Sequence, residues 1–345
     1  MKIAYLSKLQ EFKVDSAPDP TITNDEVMVG IESVGICGSD VHYWHAGCIG
    51  DVKQSFPCVL GHEPAGVILE CGSDVKDLKV GDRVAVEPGL SCGKCRMCLQ
   101  GRQNCCPNVQ FLGSPGMMGA FQEFLPRKAH QCHVLPEAMS YDDGALMEPF
   151  AVAIHALLQS NFQVGMSAAV LGAGPVGMAI ATLLDAAGAT KIFIGENNSW
   201  RRKNAKELAL GPVYNTDNNF FINSVQEETK GQGVDIVFEA AGSHETFYQS
   251  IEVACIGGIV MLVGICDRAE ILMPMHVARR KELKIYLSRR DNNEYARIIA
   301  LAERKKFPLS SFVTGHFQLD ELQDAFLGVH EKRDGVMKSI IKLKS

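Results

Sequence analysis

The chain has 345 residues, 46% of them hydrophobic and 21% charged, with 40 acidic against 34 basic side chains and a formal net charge of −6. At roughly 150 residues per domain this length predicts two domains, each with its own core, and the apolar fraction excludes a disordered polymer. Charges of both signs are mixed and no basic stripe is present, which argues against a nucleic-acid-binding protein.

The amino end, Met1-Lys2-Ile3-Ala4-Tyr5-Leu6-Ser7-Lys8, has neither an apolar h-region nor a small-residue cleavage site, so a secretory signal is not expected. The longest run free of formal charge includes Val164–Leu184. It is interrupted by Gly172, Gly174, Pro175 and Gly177, so neither a membrane span nor a membrane partner is expected. The expectation is a soluble, cytoplasmic protein. Its twelve cysteines then suggest metal ligation rather than disulfides.

Residues 1–148 hold short β-like runs separated by Gly, Pro and Asp. Val27–Ile31, Ala65–Leu69 and Arg83–Val86 are examples, the last after a Val80-Gly81-Asp82 turn. This predicts an irregular, mostly antiparallel β domain. From about residue 165 strands and helices alternate. Ala168–Leu171 reads as a strand, Val176–Ala187 as a helix ending at Gly188, and Lys191–Gly195 as the next strand. The helix Ser199–Leu210 follows, with Ser199 as its N-cap. The strand Val234–Glu239, the helix His244–Cys255 and the strands Gly258–Val263 and Glu282–Tyr286 complete an α/β pattern of the parallel, doubly wound kind. Helices at Tyr295–Lys305 and Leu319–Val329 and a strand-like tail at Lys338–Leu343 end the chain, the tail being expected to return to the first domain.

Gly172-Ala173-Gly174-Pro175-Val176-Gly177 is G-x-G-x-x-G between a strand and a helix. The first Gly allows the tight turn, the second lets the backbone approach a pyrophosphate, and the third permits close helix packing. Glu196 ends the next strand 19 positions after Gly177, where a carboxylate can accept hydrogen bonds from the adenosine ribose. That carboxylate favours NAD over NADP, because a 2′-phosphate would meet like charge. Arg201 and Arg202 lie close enough in sequence to offset this.

Cys92-x₂-Cys95-x₂-Cys98-x₇-Cys106 puts four thiols in fifteen residues, a spacing that suits a closed tetrahedral structural zinc site. Cys105 is the spectator. A redox C-x-x-C pair is the alternative, but it would need only two thiols and a thioredoxin-like helix. A second, dispersed set comprises Cys37 in GICGSD, His62-Glu63 in GHEP, and Glu148 in MEP. One thiolate, one imidazole and carboxylates can hold zinc with a coordination position left open for catalysis. On a regular strand His62 and Glu63 would point to opposite faces, so both reach one ion only if the chain bends.

In one order, GICGSDVHYW (35–44), GHEPAG (61–66), VGDRVAVEP (80–88), the four-cysteine lobe, Glu148-Pro149 and GAGPVG resemble the zinc-dependent medium-chain dehydrogenase/reductases over essentially the full length. Within them the chain is most similar to the sorbitol (L-iditol 2-) and polyol dehydrogenase branch, through Ser39–Trp44 and through Glu148, where simple-alcohol dehydrogenases typically carry Cys. The resemblance implies a GroES-like, mostly β catalytic domain over 1–148, with a zinc lobe at 89–107, completed by 287–345. It implies a Rossmann domain over 149–286.

By the same resemblance Cys37, His62 and Glu63 hold a catalytic zinc, with Glu148 bound directly or through a water; Glu63 and Glu148 remain alternatives as the third ligand. Ser39 takes the substrate proton and His42 passes it on. Glu196, Arg201, Val263, Gly264, Ile265 and Ser288 join the glycine turn, with Pro175 and Val176, in binding NAD. Tyr43, Glu148 and the loop 287–293 contact substrate, Arg289 and Arg290 foremost. Sorbitol dehydrogenases carry a single Arg beside aromatics in that loop, whereas here Arg289 is an extra charge and Asp291 replaces an aromatic. Two arginines can grip a carboxylate or phosphate, so a sugar acid or polyol phosphate competes with a plain polyol as substrate. A threonine-type dehydrogenase and a non-catalytic nucleotide-binding protein are the further alternatives. A homo-oligomer, dimer or tetramer, is implied by the resemblance alone.

Overall fold

The computed structural model describes residues 1–266, 268, 270–305 and 309–343. They form two compact units, Met1–Glu148 with Asn292–Ser345, and Pro149–Asp291.

The first unit is built on the strand Glu26–Gly35, whose Val27, Val29, Ile31 and Val34 are fully buried. Burial on both faces makes it the centre of a sheet rather than an edge. The sheet runs in the order Cys132–Val134, Arg83–Val86, Glu63–Cys71, Glu26–Gly35, Lys338–Lys342, Val313–Gln318, and Phe124–Lys128 also pairs with Glu26–Gly35. All neighbours are antiparallel except the last two in that order. The tail strand Lys338–Lys342 thus lies directly against the central strand, with Ile340 opposite Gly35. A short helix, Gly38–Ala46, leaves the end of the central strand. Its backbone starts from an extended Cys37, whose N–H donates to Asp40 Oδ2 at 3.1 Å, and stops at a left-handed Gly47. It packs on the helix Leu322–His330 through Trp44 and the fully buried Phe326, whose ring also meets Phe12 and Phe121.

The second unit is a six-stranded sheet in the order Val213–Tyr214, Lys191–Gly195, Ser167–Leu171, Val234–Glu239, Ala254–Leu262, Lys284–Leu287, parallel throughout. The strand order reverses between Ser167–Leu171 and Val234–Glu239, where Leu171 is level with Glu239. Ligands of such sheets bind beyond the carboxyl ends of the strands at that point. The expected pairing of a mostly β domain with a doubly wound, Rossmann-type α/β domain is what the structure contains.

Several boundaries differ from the sequence expectation, each for a local reason. The N-cap of the helix Ser199–Glu207 is Asn198, not Ser199, since Asn198 has extended backbone and its side chain accepts the Arg201 N–H at 2.9 Å. The helix His244–Val253 ends before Cys255, because Lys281 Nζ closes its last turn by donating to the carbonyls of Ile251, Glu252 and Ala254. Cys255 therefore belongs to the strand Ala254–Leu262. Glu282 is left-handed (φ 52°), which delays the following strand to Lys284–Leu287. Leu319–Glu321 is a 3₁₀ turn that leads into the helix Leu322–His330. Among the described residues no helix is long and apolar enough to cross a membrane.

Candidate active site

Cys37, His62 and Glu63 each bring one ligand atom to within 4.8 Å of the others, and the group is largely buried. The chain makes this possible by bending: Gly61 is left-handed (φ 93°) and the strand starts only at Glu63, so strand alternation does not separate the two side chains. His62 Nδ1 lies 3.2 Å from Asp40 Oδ1, which also accepts the Gly61 N–H at 3.1 Å. One carboxylate thus fixes the ring, the turn before it and, through its other oxygen, the Cys37 backbone. The ring's Nε2 is left toward the cluster, 3.5 Å from Ser39 Oγ. Burial by itself would push the imidazole down, but the facing Asp40 and Cys37 outweigh it and hold His62 well above its ordinary range.

Glu63 is paired with Lys338, both essentially without exposure, and Lys338 Nζ also donates to the Ile36 carbonyl at 3.0 Å. Gly35 stands opposite Glu63 in the sheet, where a Cβ would sit 1.9 Å from Glu63 Oε2, so only glycine leaves room for that carboxylate. Glu148, in the first turn of the helix Met147–Gln159, is buried and outside the close triplet. Burial, with Glu63 and Asp40 nearby, raises its carboxyl to about 7 against the opposing pull of His62 and Lys338. His42 and Tyr43 sit on the helix Gly38–Ala46, His42 half-buried and Tyr43 buried in the core. Sequence reasoning assigned no role to Asp40 or Lys338. Asp40 stands three residues after Cys37, a spacing that signals a helix cap; Lys338 carries no such local signal.

Cys92, Cys95, Cys98 and Cys106 form the second group of convergent ligand atoms, and none of the twelve cysteines is in a disulfide. Cys95 Sγ lies 3.4 Å from Cys98 Sγ and 3.8 Å from Cys106 Sγ. Four sulfurs at ~2.3 Å around one zinc would stand ~3.8 Å apart, so the donor set fits the ion in number, chemistry and spacing. Backbone N–H groups of Lys94 and Cys95 hold the Cys92 thiol below the ordinary thiol range, while burial and the neighbouring sulfurs push the Cys95 thiol up to about 11. Cys105 Sγ instead receives a hydrogen bond from Arg102. The lobe is tied down by Asn292, which accepts from the Asn104 N–H and donates to the Gly101 carbonyl.

In the second unit Gly172 is left-handed (φ 102°), and a Cβ on Gly177 would lie 1.8 Å from the Gly172 carbonyl oxygen. Gly174 caps the helix Pro175–Ala186, with Pro175 at its first position and Val176 next. Its would-be Cβ meets only the Arg201 guanidinium, at 3.7 Å. Glu196 is buried, with Oε2 accepting the Ala173 N–H at 2.8 Å and Oε1 the Asn198 N–H at 2.9 Å. Arg202 donates to the carbonyls of Glu196 and Asn197, so it holds the backbone of this turn. Val263 and Gly264 donate their N–H groups to the Glu239 carbonyl, and Ile265 is exposed. Ser288 follows the last strand of this sheet, and its hydroxyl is buried without a hydrogen-bond partner. Arg289 is exposed, and Arg290 is half-buried and left-handed (φ 57°).

Two family models match the chain. One, described as the alcohol dehydrogenase GroES-like domain, covers residues 23–137, and the other, described as zinc-binding dehydrogenase, covers 175–304. Sorbitol dehydrogenase of Bacillus subtilis is 36% identical over 325 residues, 94% of this chain and 92% of the relative. A probable D-xylulose reductase A of Aspergillus clavatus is 35% identical, over 93% of this chain and 91% of the relative. The crystal structure of an Escherichia coli oxidoreductase/dehydrogenase of unknown specificity superposes with a TM-score of 0.93 at 33% identity, covering 100% of this chain and 99% of that one.

The buried pair beneath the first cluster yields a stability prediction. In metal-stripped protein Lys338→Met should cost about 3–5 kcal/mol, because Glu63 is left buried without counter-charge, and the double variant Lys338→Met/Glu63→Gln should recover most of the loss. Urea unfolding measures both. Equal stability of Lys338→Met and the unaltered chain would refute the pairing.

Proposed function

From the premise that the chain belongs to the zinc-dependent medium-chain dehydrogenases, in their polyol dehydrogenase branch, we propose that it oxidises a secondary alcohol of a polyol to the ketose. NAD would take the hydride, and the hydroxyl proton would go to solvent. The observation that carries this reading is the buried Cys37–His62–Glu63 cluster with Ser39 Oγ beside it. Names of relatives supply the substrate class: sorbitol dehydrogenase, D-xylulose reductase and L-arabinitol 4-dehydrogenase all take polyols or their ketoses.

Cys37, His62 and Glu63, with Glu148 at hand, are the proposed ligands of a catalytic zinc; Cys92, Cys95, Cys98 and Cys106 are those of a structural one. When bound, a catalytic zinc acidifies a coordinated hydroxyl, and NAD supplies the hydride acceptor. The remaining work falls to side chains. Ser39 accepts the substrate proton and His42, half-buried on the same helix, relays it outward. Asp40 keeps the His62 ring in the tautomer that leaves Nε2 as the ligand atom. Lys338 neutralises Glu63, so the anionic cluster does not carry its full repulsion. Glu196 and the glycine turn bind the adenosine and pyrophosphate, with Arg201 over Gly174. Val263, Gly264, Ile265 and Ser288 form the nicotinamide end.

The catalytic assignment covers 1–148 and the carboxyl-terminal segment, and the cofactor assignment covers 149–286. Tyr43, Arg289 and Arg290 remain the proposed substrate contacts. A second reading rests on the Arg289–Arg290 pair: an exposed guanidinium in that loop suits the carboxylate of a sugar acid or the phosphate of a polyol phosphate.

Purified enzyme with NAD should oxidise polyols faster than sugar acids, polyol phosphates or threonine, and turnover of threonine alone would sink the proposal. Cys37→Ser should abolish that turnover while leaving NADH binding intact; activity like that of the unaltered chain would remove Cys37 from the site. Cys95→Ser should lose about one zinc of two per chain and lower the melting temperature. Metal analysis that finds the zinc content unchanged would refute the structural site.

A further inference from the structure

Glu239 lies at the carboxyl end of the strand that faces the glycine turn across the reversal of strand order, and it is 3% exposed. No role in ribose or metal binding falls to it, yet both its side chain and its carbonyl serve as acceptors. Its Oε1 accepts the N–H groups of Ala241 and Gly242, both at 2.9 Å, and the hydroxyl of Thr246 at 2.7 Å. Its main-chain carbonyl accepts Val263 N–H at 2.8 Å and Gly264 N–H at 2.9 Å. One residue therefore fastens two loops, 240–243 and 263–265, at the ends of adjacent strands.

The loops have no room to shift independently. A Cβ on Gly264 would lie 2.3 Å from the Gly242 nitrogen and 2.9 Å from Glu239 Oε2. A Cβ on Gly242, itself left-handed (φ 71°), would lie 2.3 Å from the Ile265 carbonyl oxygen. The first loop also abuts the glycine turn, since a Cβ on Gly172 would lie 2.8 Å from the Ala241 nitrogen. Ser243 completes the device by capping the helix His244–Val253 with its hydroxyl on the Thr246 N–H.

We propose that Glu239 is a positioning residue for the nicotinamide half of the cofactor: its carboxylate and carbonyl lock loops 240–243 and 263–265 into one floor. This rests on the dinucleotide reading given above. Glu196 stands at the end of Lys191–Gly195, on the opposite side of the glycine-turn strand from Glu239. The adenosine half, held by Glu196, should therefore be indifferent to Glu239, and the nicotinamide half should depend on it.

The experiment compares the dissociation constants of NADH and 5′-AMP by fluorescence titration of the zinc-loaded protein. Glu239→Ala should weaken NADH by about tenfold or more and leave AMP within about twofold, and Glu239→Gln, which keeps an acceptor oxygen, should restore most of the loss. Thr246→Val, which removes one donor and leaves the carboxylate, should show the same asymmetry at smaller size, and it decides the matter if Glu239→Ala does not fold. Equal weakening of both ligands, or none of either, would overturn the proposal. Failure of the unaltered protein to bind either ligand would overturn the dinucleotide reading itself.

Discussion

The structure of the first unit depends on compensating charge where water is excluded. Among the described residues a thiol, an imidazole, three carboxyl groups (Asp40, Glu63 and Glu148) and the ammonium of Lys338 lie close together and largely buried. Taking an isolated ion out of water costs several kcal/mol even after relaxation, so each group must find a partner or give up its charge. Asp40 finds backbone N–H groups and His62, Glu63 finds Lys338, and Glu148 has its carboxyl raised to about 7. A divalent cation would add the positive charge that this set lacks. The sheet serves the same demand: the tail strand beside Glu26–Gly35 carries the buried ammonium, and Gly35 lacks a side chain where the Glu63 carboxylate lies.

A second device recurs in the other unit. Carboxylates there serve first as acceptors for backbone N–H groups in turns. Glu196 ties the glycine turn to the loop after its own strand, and Glu239 ties two loops to each other. Glu196 is fixed through both oxygens, whereas Glu239 is held through Oε1 and its burial pushes the carboxyl up. Short, local hydrogen bonds thus order the turns at these strand ends.

Features with local spacing were legible in the sequence. The four cysteines of the lobe lie within fifteen residues, so their convergence requires only a turn or two. The glycine turn and Glu196 belong to one strand–helix–strand unit, and Arg83–Val86 was marked by the turn before it. What escaped was set by partners distant in sequence. Lys338 meets Glu63 across 275 positions (338 − 63), and nothing in Val336-Met337-Lys338 announces a buried ammonium. The helix Gly38–Ala46 has two buried aromatics among polar and small residues, a weak periodic signal that becomes a helix because Trp44 packs on Phe326. The end of the helix at Val253 was hidden likewise, since Lys281 closes it from 28 positions downstream (281 − 253).

The proposed preference for NAD turns on how firmly Glu196 is held. A carboxylate free to rotate could turn away from a 2′-phosphate, but here the Ala173 and Asn198 N–H groups grip both oxygens, so retreat would break two hydrogen bonds. A phosphate brought to ~4 Å would meet about 4 kcal/mol of repulsion per unit charge at an effective dielectric of about 20. Of the two nearby guanidiniums, that of Arg202 is committed to the carbonyls of Glu196 and Asn197. That of Arg201 lies over Gly174, at the helix end where both cofactors carry their pyrophosphate. On the proposed NAD reading, the fixed carboxylate outweighs Arg201, whose guanidinium feels the charge of Glu196.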